Sequence, residues 1–192
     1  MAATQNHTSE DIGNIVLLEH LNVRVPDQSL ATLFYVVGLG LTRDPYLTVG
    51  LENMWINTGE QQFHLPTGSA QRFSGHVALV LPELEVLERR LESLRERLKG
   101  TQFTWSRDTD HLWVTCPWGN HFCCYPPGEK FGDMALGMPY LEFWVRPGAA
   151  SGIGRFYQEV MGAPSRLASV GNVPIALVAI GRNQWIVFRE TH

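Results

Sequence analysis

Two imidazoles carry the clearest chemical pattern in this chain. His20 lies in Leu18-Glu19-His20-Leu21-Asn22-Val23-Arg24-Val25-Pro26, and His76 lies in Phe73-Ser74-Gly75-His76-Val77-Ala78-Leu79-Val80-Leu81-Pro82. Each stands near the start of an apolar, β-rich run that a proline closes. The two histidines are 56 positions apart, and so are Pro26 and Pro82. A neutral imidazole is a donor to Fe, Zn, Ni, Co or Mn, so two histidines at equivalent places in a repeat are a candidate metal pair. Side chains alternate along a strand, which sets Asn22 and Arg24 on the face of His20. A polar face on an otherwise apolar strand is a cavity wall or a solvent face.

The elements that must position these groups follow in a fixed order. After a strand over 17–25, Leu30, Leu33, Phe34 and Val37 recur at the spacing of an amphipathic helix. Asp27 or Ser29 can cap that helix, and Gly38 or Gly40 can end it. Three short strands are predicted next, at 41–48, 53–57 and 61–65. From Phe73 the order restarts: a strand, then a helix over 83–99 with Leu84, Leu87, Leu91, Leu94 and Leu98 in one stripe, closed by Gly100. Strands at 102–107, 112–116 and 120–125 complete a second β-α-β-β-β module.

Residues 128–138 are rich in glycine and read as a linker. Beyond it the first module recurs at an offset of 122: Arg24 and Arg146, Phe34 and Phe156, Tyr35 and Tyr157, Gly40 and Gly162, Gly59 and Gly181, Gln62 and Gln184. Three units result, at 17–66, 73–126 and 139–190, after a flexible N-terminus over 1–16; the third domain segment runs over 139–192. One sheet face of such a unit is normally buried against another unit, so an odd number calls for a fourth unit or a second subunit. A homodimer through the third module is therefore expected.

Composition narrows the classes of function. Of 192 residues, 44% are hydrophobic and 18% charged, which is ordinary for a globular protein, and a net charge of -4 offers no basic face for a phosphate backbone. Nucleic acid is excluded on that ground. No apolar run reaches the roughly 20 residues that cross a bilayer, so no membrane partner is expected. Met1–Asn14 is polar without Lys or Arg and lacks the basic region of a secretion signal. Cys116, Cys123 and Cys124 are odd in number and clustered, unlike a disulfide framework. A cytoplasmic location is expected.

The motifs Phe34-Tyr35-Val36-Val37-Gly38-Leu39-Gly40, Phe156-Tyr157-Gln158-Glu159-Val160-Met161-Gly162 and Cys116-Pro117-Trp118-Gly119-Asn120 stand in modules whose first strand carries a histidine. In this setting they resemble the vicinal oxygen chelate superfamily over residues 17–190. That superfamily includes glyoxalase I, extradiol dioxygenases, methylmalonyl-CoA epimerase, and fosfomycin and bleomycin resistance proteins. The resemblance implies an α+β fold in which paired βαβββ modules form a curved mixed-sheet cup, residues 17–127 making one two-module domain.

It further implies a divalent metal ion in the cup, on ligands from the first and last strands of each module: His20, Gln62, His76 and Cys123. Relatives usually have a carboxylate at the last position, and a thiolate there would favour Zn. A shift of two residues offers His64 or His121 instead, and strand alternation does not decide within either pair. Asn22, His64 and His121 are expected to line the substrate pocket, and Trp55, Trp105, Trp113, Trp118 and Trp144 are candidates for its apolar walls. The implied function is a metal-dependent enzyme acting on a small molecule with two adjacent oxygens, by isomerisation, lyase chemistry or dioxygenation. The alternatives are a metal-free small-molecule binding protein of the bleomycin-resistance type, or a structural descendant without a working site. In the third module Glu142 stands at the histidine's place, so that unit reads as structural or dimerising.

Overall fold

The computed structural model describes residues 15–47 and 52–191. The polar N-terminal stretch Met1–Asn14 and the end of the strand predicted to reach Thr48 lie outside them. The described chain divides into two units, 18–141 and 142–191, the latter with residues 15–17.

The first unit holds two modules of one topology. In the first module, β1 (His20–Asn22) pairs in parallel with β4 (Gln61–Pro66), which pairs antiparallel with β3 (Asn53–Thr58), which in turn pairs with β2 (Thr42–Arg43). In the second, β5 (Gly75–Val80) pairs in parallel with β8 (His121–Tyr125), followed by β7 (Leu112–Thr115) and β6 (Thr104–Arg107) in antiparallel order. Mixed sheets with a parallel first and last strand are the α+β arrangement expected of βαβββ modules. β1 is shorter than its apolar run, although Gln62 N–H to Glu19 O and Val23 N–H to His64 O continue the ladder to either side. β2 stops early because the Asp44 carboxylate accepts the N–H groups of Tyr46 and Leu47 and turns the chain.

The helices depart from the expected pattern in one place. Asp27 caps α1 (Gln28–Ala31) through the N–H groups of Ser29 and Leu30, but Thr32–Gly38 continues as a π-helical stretch. Widening the turn brings the adjacent Phe34 and Tyr35 inward together, both fully buried, and leaves Val37 at the surface. Gly40, at φ +75°, ends the stretch. In the second module α2 (Leu84–Leu94) is shorter than 83–99; the five leucines of the stripe are all buried, four in α2 and Leu98 in the turns that follow.

These helices decide where the histidines go. Phe34 packs against Phe103 and Phe122, Tyr35 against Phe63, and the Phe63 and Phe122 rings lie 6.0 Å apart. Phe63 projects from β4 between Gln62 and His64, and Phe122 projects from β8 between His121 and Cys123. The apolar faces of the two sheets therefore share one aromatic core. By strand alternation, the histidine-bearing faces are the opposite faces of those two sheets.

The predicted linker is a packed segment. A 3-10 turn (Glu129–Phe131) buries Phe131, Gly137 exchanges backbone hydrogen bonds with Val80, and the Met138 N–H donates to the Gln61 side-chain oxygen at 2.9 Å. The close approach is possible because Gly59 has no Cβ: one built there would lie 2.1 Å from the Leu136 carbonyl oxygen.

In the second unit β9 (Tyr140–Val145), α3 (Ala150–Glu159), β10 (Ser165–Val170), β11 (Val173–Gly181) and β12 (Gln184–Glu190) follow the same order of elements. Strand neighbours run β9-β12-β11-β10, with Tyr157 and Phe143 packed on Phe188. Two of the sequence identities, Gly59 with Gly181 and Gln62 with Gln184, do not survive. A bulge between Ala179 and Gly181 inserts a residue, so that Gly181 faces Gln184 as Thr58 faces Gln61. Gln184 is the counterpart of Gln61, and Trp185 stands at the place of Gln62.

Candidate functional site

Four predicted site residues share the polar face of the first module. His20 stands beside Gln62 across the parallel ladder, and Asn22 stands beside His64. The same face takes Trp55 and Asn57 from β3, because these pair directly with His64 and Gln62. The Trp55 and His64 rings stack at 4.1 Å between centroids, and His20 meets the Trp55 ring edge at 5.2 Å.

Hydrogen bonds fix how these groups present themselves. The Gln62 amide nitrogen donates to Asp44 Oδ2 at 2.8 Å and to Asn57 Oδ1 at 2.7 Å. Both amide protons are used, which orients the Gln62 carbonyl oxygen as the available donor atom. His20 Nδ1 pairs with the Glu19 carboxylate, leaving Nε2 for a ligand in the carboxylate–histidine pattern that orients metal-bound imidazoles. His64 Nε2 donates to Asn53 Oδ1 at 2.6 Å, so Nδ1 carries its lone pair. Burial, and then the nearby His20, lower the His64 pKa and favour the neutral ring. The N–H groups of Leu47 and Tyr46, and then Gln62, hold the Asp44 carboxyl below its usual range. Asp44 therefore orients Gln62 and is a poor proton acceptor.

The other three predicted residues lie on the second module. His76 pairs across the parallel ladder with His121, as His20 does with Gln62, and Ala78 pairs with Cys123. By register, His121 is the counterpart of Gln62, and Cys123 is the counterpart of His64. His76 is buried, its Nε2 3.3 Å from the Tyr140 hydroxyl, which lies 3.1 Å from that of Tyr125; Trp113 packs on the His76 ring. His121 Nδ1 lies 3.1 Å from Thr115 Oγ1, and burial lowers its pKa. Cys123 is fully buried, and burial pushes the Tyr125 phenol far above its ordinary value.

The structure thus brings together His20, Asn22, Gln62 and His64 on one sheet, and His76, His121 and Cys123 on another. It does not bring His20 and His76 together, and among the described residues no group of three or more His, Cys, Asp and Glu side chains is placed to hold a metal ion. A single centre on His20, Gln62, His76 and Cys123 does not fit this arrangement. What does fit is a pair of oriented donors, His20 and Gln62. Of the tryptophans, Trp55 and Trp113 flank the histidines, Trp105 lies under Arg95, and Trp144 donates to Glu142. Glu142, at the histidine place of the third module, is buried and paired with Arg189 at 2.8 Å.

Sequence reasoning missed Asp44, Asn57, Asn53 and Glu19 as supports. Asn57 and Asn53 were within reach of it, since a hairpin turning at Gly59 pairs Asn57 with Gln62; Asp44 gives no sequence signal. A cavity on the helical side, about 220 Å³ and walled by Leu39, Leu41, Leu81 and Leu87 with Arg90 at its edge, includes none of the predicted residues.

βαβββ modules with this strand order are the fold of the vicinal oxygen chelate proteins. Solved structures agree. Glyoxalase I from Zea mays superposes with a TM-score of 0.64 at 17% identity, covering 90% of this chain and 66% of that one. A Bacillus subtilis protein assigned as a candidate dioxygenase superposes at 0.60 with 15% identity, covering 91% of this chain and 64% of the other. This chain thus spans about two thirds of the length of these structures. No protein-family model and no curated protein sequence matches it. No helix among the described residues is long and apolar enough to cross a membrane.

Proposed function

We propose that this protein is an enzyme that acts on a small molecule with two adjacent oxygens, bound on the first-module face with a divalent metal ion of the Fe, Zn, Ni, Co or Mn group. The observation that carries this is the double anchoring of Gln62 by Asp44 and Asn57 beside a His20 whose Nδ1 is held by Glu19. Anchoring of this kind fixes a carbonyl oxygen and an imidazole nitrogen on one face before any ligand arrives, which lowers the ordering cost of binding. A bound metal would supply Lewis-acid polarisation of the substrate oxygens. Two protein donors leave room for a bidentate substrate, so metal and substrate should bind more tightly together than either alone.

Within this face His64 is the proton acceptor. Its ring is kept neutral and its Nδ1 is the basic atom, so it would hold the proton taken from a hydroxyl-bearing carbon beside a carbonyl and return it to the carbonyl carbon while the hydroxyl proton passes to the carbonyl oxygen, an isomerisation. Trp55 stacks on the same ring and shields it from water. The fold alone does not select among isomerase, lyase and dioxygenase chemistry. Support for an assignment to isomerisation rests on the neutral His64.

Metal analysis of protein purified without a histidine tag tests the proposal. Stoichiometric metal in the wild type that is lost in both His20→Ala and Gln62→Leu is the expected result. Less than roughly half an equivalent, unchanged by either substitution, overturns metal dependence. The Trp55–His64 stack favours a second reading in that case: a metal-free binding protein holding a planar ligand on that platform, with tryptophan quenching lost in Trp55→Leu.

A further inference from the structure

A helix surface that is buried in the first module is bare in the third. Phe34 is 0% exposed and Leu39 4%, while their counterparts 122 positions on, Phe156 and Met161, are 50% and 37% exposed. Val160, at the place of Gly38, is 66% exposed. In the first module this surface is covered by the second: Phe34 meets Phe103 and Phe122, and a Cβ built on Gly38 would lie 2.8 Å from Leu94. On α3, Gly152, Phe156 and Val160 line up at intervals of four, and a Cβ at Gly152 would meet nothing within 4 Å. Arg155 and Glu159 flank that line on one side, both exposed, and neither makes an ion pair within the described chain.

From this we infer that α3 is the contact between two copies of this chain, packed antiparallel about a twofold axis near Phe156. In such a pair each flank meets the same flank of the other copy. A flank carrying one cation and one anion four residues apart is then self-complementary, Arg155 of one copy reaching Glu159 of the other. Unlike charges on a single flank select a second copy over an acidic or basic partner. Val160 of each copy sits over the open Gly152 of the other, and the Phe156 rings meet at the axis. This gives a surface to the homodimer expected of the third module, and it is independent of the metal site proposed above.

Sedimentation of the full chain at about 100 μM tests the inference. A species of twice 21.6 kDa is expected, with Phe156→Glu raising the dimer Kd by at least ~100-fold, as loss of a central aromatic contact does. Arg155→Glu should weaken association by ~10-fold, and the exchange Arg155→Glu with Glu159→Arg should restore it to within ~3-fold of the wild type. The charge-exchange pair, being exposed, decides the matter even if Phe156→Glu misfolds. A wild type that stays monomeric, a dimer indifferent to Phe156→Glu in folded protein, or an exchange that fails to restore association overturns it.

Discussion

Replacing Gly59 by alanine should cost more than its place in a surface hairpin suggests. Gly59 has φ +67°, a conformation that costs an L-residue about 1–2 kcal/mol. The new Cβ would also lie 2.1 Å from the Leu136 carbonyl oxygen and 2.9 Å from its carbon. Those are backbone atoms held in place by the exchange of hydrogen bonds between Gly137 and Val80 and by the bond from Met138 to Gln61, so they cannot swing aside. Relief requires moving the segment, at the cost of overpacking, about 1–3 kcal/mol. The total is about 2–5 kcal/mol, a large share of the 5–15 kcal/mol that holds a typical domain together. The control is Gly100→Ala: φ is +85° there but no atom lies within 4 Å of the added Cβ, so only the conformational cost of about 1–2 kcal/mol applies. Urea unfolding monitored by tryptophan fluorescence measures both. A Gly59→Ala variant that loses no more stability than Gly100→Ala would refute the close approach of Leu136, and with it the packing of the segment before β9.

Further outcomes follow from particular contacts. Leu91→Ala removes a fully buried side chain from the stripe under the π-helical stretch and should cost about 2–5 kcal/mol in the same unfolding assay. Asp27→Ala removes the cap that accepts two N–H groups and should cost about 1 kcal/mol. Asp44→Ala leaves the core intact but frees the Gln62 amide, so metal affinity by calorimetry should fall by roughly 10- to 100-fold with little change in stability. For pH, His64 and His121 both have pKa values below the ordinary 6.5, so the unfolded chain takes up their protons first. Stability is then full above about pH 6.5 and declines as pH falls through the lower folded values. Urea midpoints at pH 7.5 and 5.5 should differ less in His64→Gln than in the wild type, and an equal difference would show that His64 contributes nothing.

What the sequence discloses here is mostly what one strand can tell about itself. Period-two alternation is enough to put His20 with Asn22 and Gln62 with His64, because neighbouring side chains on a strand have no other choice of face. Helical spacing likewise puts the four leucines of α2, and Leu98 after it, on one buried line. It says nothing of which sheet a face looks at, and that is where the predicted metal centre came apart. His20 and His76 occupy equivalent register positions, yet the modules meet through Phe34, Tyr35, Phe63 and Phe122, so equivalence places the two histidines on opposite faces of the pair of sheets.

The π-helical stretch and the bulge after Ala179 were hidden for a related reason. Each inserts a residue into a regular ladder, and the energy that tolerates it comes from distant packing instead of local propensity. The same insertion explains why an ungapped offset of 122 mistook Gln184 for the partner of Gln62. A repeat read by counting is reliable up to its first bulge, and beyond that point the hydrogen-bond register must decide. By register, His121 takes the place of Gln62 and Cys123 takes that of His64. If the second module retains a donor pair, that pair is His76 with His121, both imidazoles, with the buried Cys123 thiol two residues along the same strand face.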